Sequence, residues 1–440
     1  MDKDMKVLLR DEQKLKIEEI VKSLDVFYKD PNNILEAYRY VLKSDDLEAE
    51  IKKISPRYVI DIARFLGELY SSDLGLVKDQ IKQNFHSMNK NLSSFHGLSV
   101  SSGIALIINS YKDIIGIDED IDEEIFELLK IMVSSIEKYI ITIKDNKIMR
   151  YCECIGGLVG IGRVLLRFKD NAEIDKTIRL ILKTLIDFVY MNKVYNGVER
   201  PSWYITDKEE FVLDRERFPN GYLNNGMAHG ISGVLAFLSI SIIRGIKVEG
   251  QSDAIEIILK ELYKYKIEND NVTYWLGRIP YEMIDKFEEI PLERCSWCYG
   301  TIGISRAIYL AGKAIKKQKY IDDALYSLKT ISKLSIEDMQ LTSPMFCHGT
   351  AGVLEIFTLM YDDTLDEDFL DIISKLIDET LKYFDEEEPF KFYTREISSM
   401  SEKYPMDDYT VFGGVISVAL VLLQFIKKKS TEWESVFVIN

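Results

Sequence analysis

Apolar side chains recur at helical spacing through most of the chain. Over 57–69, Val59, Ile60, Ile62, Ala63, Phe65, Leu66 and Leu69 cover one wide face of a helix. Over 230–243 (GISGVLAFLSISII) hardly any face stays polar, which is the pattern of a helix buried on most sides. Strand-like alternation is scarce. Two stretches, near 191–228 and 267–297, keep no helical stripe for long and are richer in Trp, Tyr, Pro and Asn. The pattern predicts a mainly helical protein carrying two irregular insertions.

A short unit punctuates this pattern: glycine, two residues, glycine, then an apolar helix. It stands as Gly157-Leu-Val-Gly160, Gly230-Ile-Ser-Gly233, Gly300-Thr-Ile-Gly303 and Gly349-Thr-Ala-Gly352. Weaker copies lie at Gly97-Leu-Ser, with Gly103 close behind, and at Gly414-Val-Ile-Ser417. Each interval has room for about two helices, and the two longest intervals contain the irregular stretches. Glycines three residues apart share a helix face and let another backbone come close, so packing alone accounts for any single copy. Six copies together imply an array of helical hairpins in which each glycine-bearing helix holds an equivalent place. A closed ring with those helices inside is the compact arrangement.

Length and composition narrow the class. The chain has 440 residues, 47% of them apolar, which fits a packed globular protein and excludes global disorder. A formal net charge of −16 speaks against nucleic acid as the main partner, since phosphate binding needs basic surface. The uncharged runs fall short of the roughly 20 apolar residues that span a bilayer. The charged start, MDKDMKVLLRDEQK, does not read as a signal peptide. Five cysteines, an odd number, suit a reducing compartment better than a disulfide framework. The expectation is a soluble cytoplasmic protein.

The reactive residue types gather on the repeat. Two of the four histidines directly precede the first glycine of a full repeat copy, His229 before Gly230 and His348 before Gly349. All five cysteines lie within five residues upstream of one, and Cys154, Cys298 and Cys347 lie within three. If the repeat starts a helix, Cys298, Cys347 and His348 converge from two repeats and His229 arrives from a third. Two thiolates and an imidazole, with a fourth position open, make a recognised catalytic zinc set. The plainer alternative is that these are small buried residues at a tight helical junction. Cys295-Ser-Trp-Cys298 also reads as a C-x-x-C, but neither a βαβ pattern nor a second C-x-x-C accompanies it. Cys295 is therefore expected to be incidental, Cys152 and Cys154 to be core residues, and His86 and His96 to be ordinary surface or packing histidines.

Three segments resemble the lanthionine synthetase C family, the cyclases of lanthipeptide biosynthesis. They are Leu223-Asn-Asn-Gly-Met-Ala-His229-Gly, Arg294-Cys-Ser-Trp-Cys298-Tyr-Gly and Cys347-His348-Gly-Thr-Ala-Gly, and with the flanking repeats the resemblance covers roughly 90–425. It implies an all-α fold, an α/α toroid of two concentric rings of seven helices, with irregular or strand-containing insertions at the active-site mouth. It divides the chain into an N-terminal helical segment, 1–90, packed on a catalytic toroid, 91–440. Carried over by position, Cys298, Cys347 and His348 hold one Zn2+ per chain, His229 is the acid/base histidine, and Arg294 and Tyr299 flank the site. The family usually has aspartate four residues before the first glycine of its Gly-Leu-x-Gly repeat, and this chain has Glu153 there. Glu153 is expected to orient His229 or, alternatively, to satisfy a backbone donor at the helix start.

The implied reaction joins a cysteine thiol to dehydroalanine or dehydrobutyrine in a dehydrated precursor peptide with its leader, forming (methyl)lanthionine. The implied partners are a dehydratase and an ABC exporter at the membrane, with no nucleic acid. Two other readings use the same residues. One is a different thiol-activating zinc toroid, prenyltransferase-like or glutathione-adding. The other is a non-catalytic zinc scaffold that only binds a modified peptide. The acidic chain shows no basic cluster near the motifs for an isoprenoid diphosphate, and His229 and Arg294 favour an enzyme over a scaffold.

Overall fold

Helices dominate the computed structural model of the chain, which describes residues 9–42, 61–62, 64–70, 119–146, 148–209, 215–269, 271–393, 411–427 and 432–440. The weak repeat copy at Gly97, with His86, His96, Val59, Ile60 and Ala63, lies outside these residues, while Ile62, Phe65 and Leu66 are buried as their spacing predicts. By their contacts the residues form two units: one from 122–334 with 434–440, the other from the N-terminal helices with 335–433.

The first unit contains α3 (Glu119–Asn146), α4 (Leu158–Leu165), α5 (Ala172–Tyr190), α6 (Ile231–Ile243), α7 (Gln251–Lys264), α8 (Thr301–Ile315) and α9 (Gln318–Ile331). The second contains α1 (Asp11–Lys29), α2 (Pro31–Leu42), α10 (Thr350–Thr364), α11 (Leu370–Lys382) and α12 (Val415–Ile426). Two helix types alternate from α3 to α12. In α6 every residue from Ile231 to Ser241 is buried, and the same holds for Thr301–Gly312 of α8, Thr350–Met360 of α10 and Val415–Leu423 of α12. The buried serines of α6 stay satisfied by donating back along the helix, Ser239 to Leu235 O and Ser241 to Phe237 O. The intervening helices are amphipathic: α9 buries Ala324, Ser327, Leu328 and Ile331 on one face, and α11 buries Ile372, Ile373, Leu376 and Ile377. Each buried Leu, Ile or Phe stabilises by roughly 1.5–3 kcal/mol. In the first unit α4 and α8 both pack on α6, α5 packs on α4, α7 on α5 and α6, and α9 on α8, giving two layers of hairpins.

Every repeat copy within the described residues starts a helix. Gly157, Gly230, Gly300, Gly349 and Gly414 are the N-caps of α4, α6, α8, α10 and α12, all with extended backbone. The second glycine has a sharper reason to be glycine. A methyl at Gly160, Gly233, Gly303 or Gly352 would overlap the carbonyl oxygen of Cys154, Met227, Trp297 or Phe346, in each case the residue six positions earlier. The approach loop doubles back onto the first turn of its own helix, and only a missing Cβ allows that fit.

The two irregular stretches carry the strands. β1 (Asn192–Tyr195) and β2 (Val198–Pro201) form a hairpin whose turn, Asn196-Gly197, has positive φ at both residues. β3 (Tyr204–Ile205), β4 (Tyr222–Asn224) and β7 (Arg278–Pro280) make an antiparallel sheet, and β5 (Lys266–Glu268) pairs with β6 (Thr273–Trp275). Residues 434–440 return to the first unit. Trp297 Nε1 donates to Phe437 O at 3.1 Å, buried Arg306 donates through Nε to Ile439 O at 2.7 Å, and buried Arg163 to Asn440 O at 3.0 Å.

If the second glycine is required by the returning carbonyl, Gly303→Ala should destabilise the fold by about 1–3 kcal/mol, the usual cost of forcing atoms into a packed site. The midpoint of chemical unfolding measures it, and an unchanged midpoint would refute the close-approach account.

Candidate active site

Because each loop returns to its helix in one register, equivalent positions can be counted back from the second glycine. The fifth residue back is Cys298 before α8 and Cys347 before α10; the fourth is His229 before α6, Tyr299 before α8 and His348 before α10. The reactive side chains therefore occupy two adjacent positions of one repeated loop. Backbone bonds tie neighbouring loops together. Cys154 N donates to Ala228 O at 3.0 Å, while Met227 N and Ala228 N donate to Cys298 O at 2.7 and 3.0 Å. Cys347 N likewise donates to Phe412 O at 3.2 Å.

The candidate metal donors come together. The thiol sulfurs of Cys298 and Cys347 and a ring nitrogen of His348 all lie within 4.8 Å of one another. Two soft donors and an imidazole, three in all, fit zinc with one coordination position left for a substrate atom. Ser296 Oγ lies 3.4 Å from Cys298 Sγ. Cys295 does not belong to the group: it is buried, and burial pushes its thiol up to about 12. Burial also raises the thiols of Cys152 and Cys154, and Cys154 donates to Met227 O at 3.1 Å. These three behave as core residues.

His229 pairs with Glu153. The Nδ1–Oε2 distance is 2.7 Å, with Glu153 almost wholly buried and 27% of the His229 side chain exposed. The same carboxylate accepts from Ile155 N at 2.9 Å and Gly156 N at 2.5 Å. One carboxylate thus bonds both the His229 ring and the two backbone amides before α4. An ionised carboxylate only accepts, so Nδ1 carries the proton and Nε2 faces the chemistry. Burial alone would lower the imidazole's pKa, but the charge and hydrogen bond of Glu153, with a smaller push from Cys298, leave it raised above 6.5.

Tyr299, half-buried, places its ring 6.1 Å from that of His229, tilted by 36°. Arg294 is half-buried on the approach to Cys295, and its carbonyl accepts from Ser296 N at 2.9 Å. Residue reading alone overlooked Asn224 and Asn225. Asn224 Nδ2 donates to His229 O at 3.1 Å and its Oδ1 accepts from Gly226 N, while Asn225 binds Gly277 O through N and Leu276 O through Nδ2. Paired asparagines just before a glycine were the available signal, since such residues habitually bond nearby backbone.

A model of the lanthionine synthetase C-like protein family matches residues 60–438. The nisin biosynthesis protein NisC of Lactococcus lactis subsp. lactis is 29% identical over 314 residues, covering 68% of this chain and 71% of that protein. Among solved structures, nisin cyclase matches with a TM-score of 0.74 at 21% identity, covering 98% of each chain. That likeness bears out the expected fold class, an all-α toroid with small strand insertions.

The His229–Glu153 pair makes a pH prediction. A raised histidine pKa stabilises the folded state fully below the unfolded value near 6.5, and the contribution fades as pH rises through the folded value. Glu153→Gln should therefore lower the His229 pKa, read by NMR titration of the imidazole. It should also reduce folding stability more below pH 6.5 than in alkaline solution. An unmoved titration would refute the pairing.

Proposed function

The chain belongs to the lanthionine synthetase C-like family, and on that premise we propose that it is a zinc-dependent lanthipeptide cyclase, the enzyme that closes thioether rings in a dehydrated precursor peptide. The observation that carries this reading is the pairing of a Cys298–Cys347–His348 donor group with the His229–Glu153 pair, whose loop bonds directly to Cys298 O. A metal set alone would suit a scaffold; a half-buried, carboxylate-held histidine beside it supplies what a proton-transfer step needs. A relative named for nisin biosynthesis and a fold match named nisin cyclase support the same substrate class.

Cys298, Cys347 and His348 would hold the zinc. When bound, zinc keeps a coordinating thiol in its nucleophilic thiolate form at neutral pH, where a free thiol of pKa ~8.5 is mostly protonated. In the addition, a sulfur–carbon bond forms at the β-carbon of the dehydroamino acid. The carbon–carbon π pair shifts toward the α-carbon and its carbonyl, and the proton lost by the thiol is replaced by one delivered to the α-carbon. No mass is gained or lost. His229 is the residue we assign to that delivery: its raised pKa keeps a proton available, and Glu153 fixes which nitrogen presents it. Arg294 and Tyr299 are assigned to the developing enolate oxygen, one as a cation and the other as a hydroxyl donor.

Dehydroalanine and dehydrobutyrine arise by dehydration of serine and threonine, so a dehydratase acts upstream. We include it, with an ABC exporter at the membrane, as a partner, and take residues 91–440 as the catalytic part. No helix among the described residues is long and apolar enough to cross a membrane. A reducing cytoplasm is the setting we assign, because both ligand and substrate thiols must stay free.

Elemental analysis should find about one zinc per chain, lost on Cys298→Ala or Cys347→Ala and kept on Cys295→Ala. Retention of full zinc in both of the first two variants would overturn the ligand assignment. With a dehydrated precursor as substrate, ring closure shows as loss of alkylatable thiol at constant mass. His229→Asn should keep its zinc while slowing that loss by about 10²–10⁴-fold; loss of zinc instead would make His229 a ligand.

A further inference from the structure

The strand insertions bring one more side chain to the reacting groups. Arg278 opens β7, in register with Asn224 of β4, whose side chain holds the His229 carbonyl. The Arg278 guanidinium carbon lies 4.3 Å from the centroid of the Tyr299 ring and 5.2 Å from that of Phe218. Phe218 packs on Tyr222 of β4 at 4.3 Å, and both are buried. A ladder of planar groups thus runs from Tyr222 through Phe218 and Arg278 to Tyr299, whose ring sits beside that of His229. The backbone follows the same route. Gly277 lies so close to Tyr299 that a side chain there would overlap the Tyr299 carbonyl.

A half-buried tyrosine can turn about two side-chain torsions unless something holds its ring. A cation over the ring face is attracted by the ring's quadrupole, and a planar guanidinium stacks where a lysine ammonium cannot. Anchored at its far side by buried Phe218, Arg278 holds the Tyr299 ring from the side of the sheet. Asn224, its partner in register, fixes the His229 backbone. One small sheet therefore sets the mutual geometry of the two groups.

We propose that Arg278 is a positioning residue for thioether formation, fixing Tyr299 against His229 through the stack on its ring. The inference rests on the cyclase reading above, and the test separates the two. Wild-type protein is first assayed with a dehydrated precursor; absence of thioether formation counts against the cyclase reading alone. With activity present, Arg278→Met should lower kcat by about 10–100-fold, leave KM within about twofold and retain zinc. Arg278→Lys should recover part of the loss, since it restores the cation without the planar stack. An unchanged kcat, a loss confined to KM, or loss of zinc would overturn the proposal.

A second measurement is independent of activity. In histidine-labelled protein the His229 resonance, identified by its disappearance in His229→Asn, senses the ring current of Tyr299. It should move in Arg278→Met and, by a smaller amount, in Phe218→Leu, which loosens the stack from its buried side. A His229 resonance unmoved in both folded variants would overturn the positioning role.

Discussion

The close approach of a loop carbonyl to the second glycine of each repeat is the constraint on which the site depends. It sets how far the chain must double back before each buried helix, and so which residues land at the helix start. Because the return is six residues in each of the four full copies, Cys298 and Cys347 fall at one register position and His229, Tyr299 and His348 at the next. The packing rule came with no chemistry in it. The loops share a register, and what differs between them is the side chain at those two positions.

Around that frame a single buried carboxylate does several things at once. Glu153 receives His229, Ile155 N and Gly156 N, so its charge is stabilised by backbone dipoles at a helix start as well as by the imidazole. A carboxylate that accepts from Nδ1 keeps the histidine in one tautomer. The glutamate's extra methylene, compared with the family's usual aspartate, is accommodated while it reaches His229 and both amides. Electrostatic order at this point comes from local backbone as much as from the pair.

What the sequence disclosed follows the kind of force involved. The hairpin array was legible because a backbone-to-backbone contact admits only glycine, leaving a mark at fixed spacing. The cluster of Cys298, Cys347 and His348 was legible because cysteine and histidine are scarce in this chain and these three stand where the marks are. The strand insertions were implied by the family resemblance, but the residue pattern did not locate them: β4 pairs with β7, far along the chain, and three-residue strands carry too little alternation to register. Arg278 escaped for a related reason, since nothing near it in sequence indicates that its guanidinium meets Tyr299 and Phe218. Long-range stacking is decided by the fold and leaves no local trace.

The return of residues 434–440 to the first unit bears on how the chain can fold. Arg163 and Arg306 are always charged and fully buried, and carbonyls of Ile439 and Asn440 receive their donors. Those carbonyls arrive on the chain only after 335–433, which build the second unit, have been made. Vectorial synthesis therefore cannot finish the units in order, for the earlier one waits on a segment that follows the later one. A fragment cut at residue 334 would keep every helix from α4 to α9 and yet lack the closing ligands of its two interior guanidinium groups.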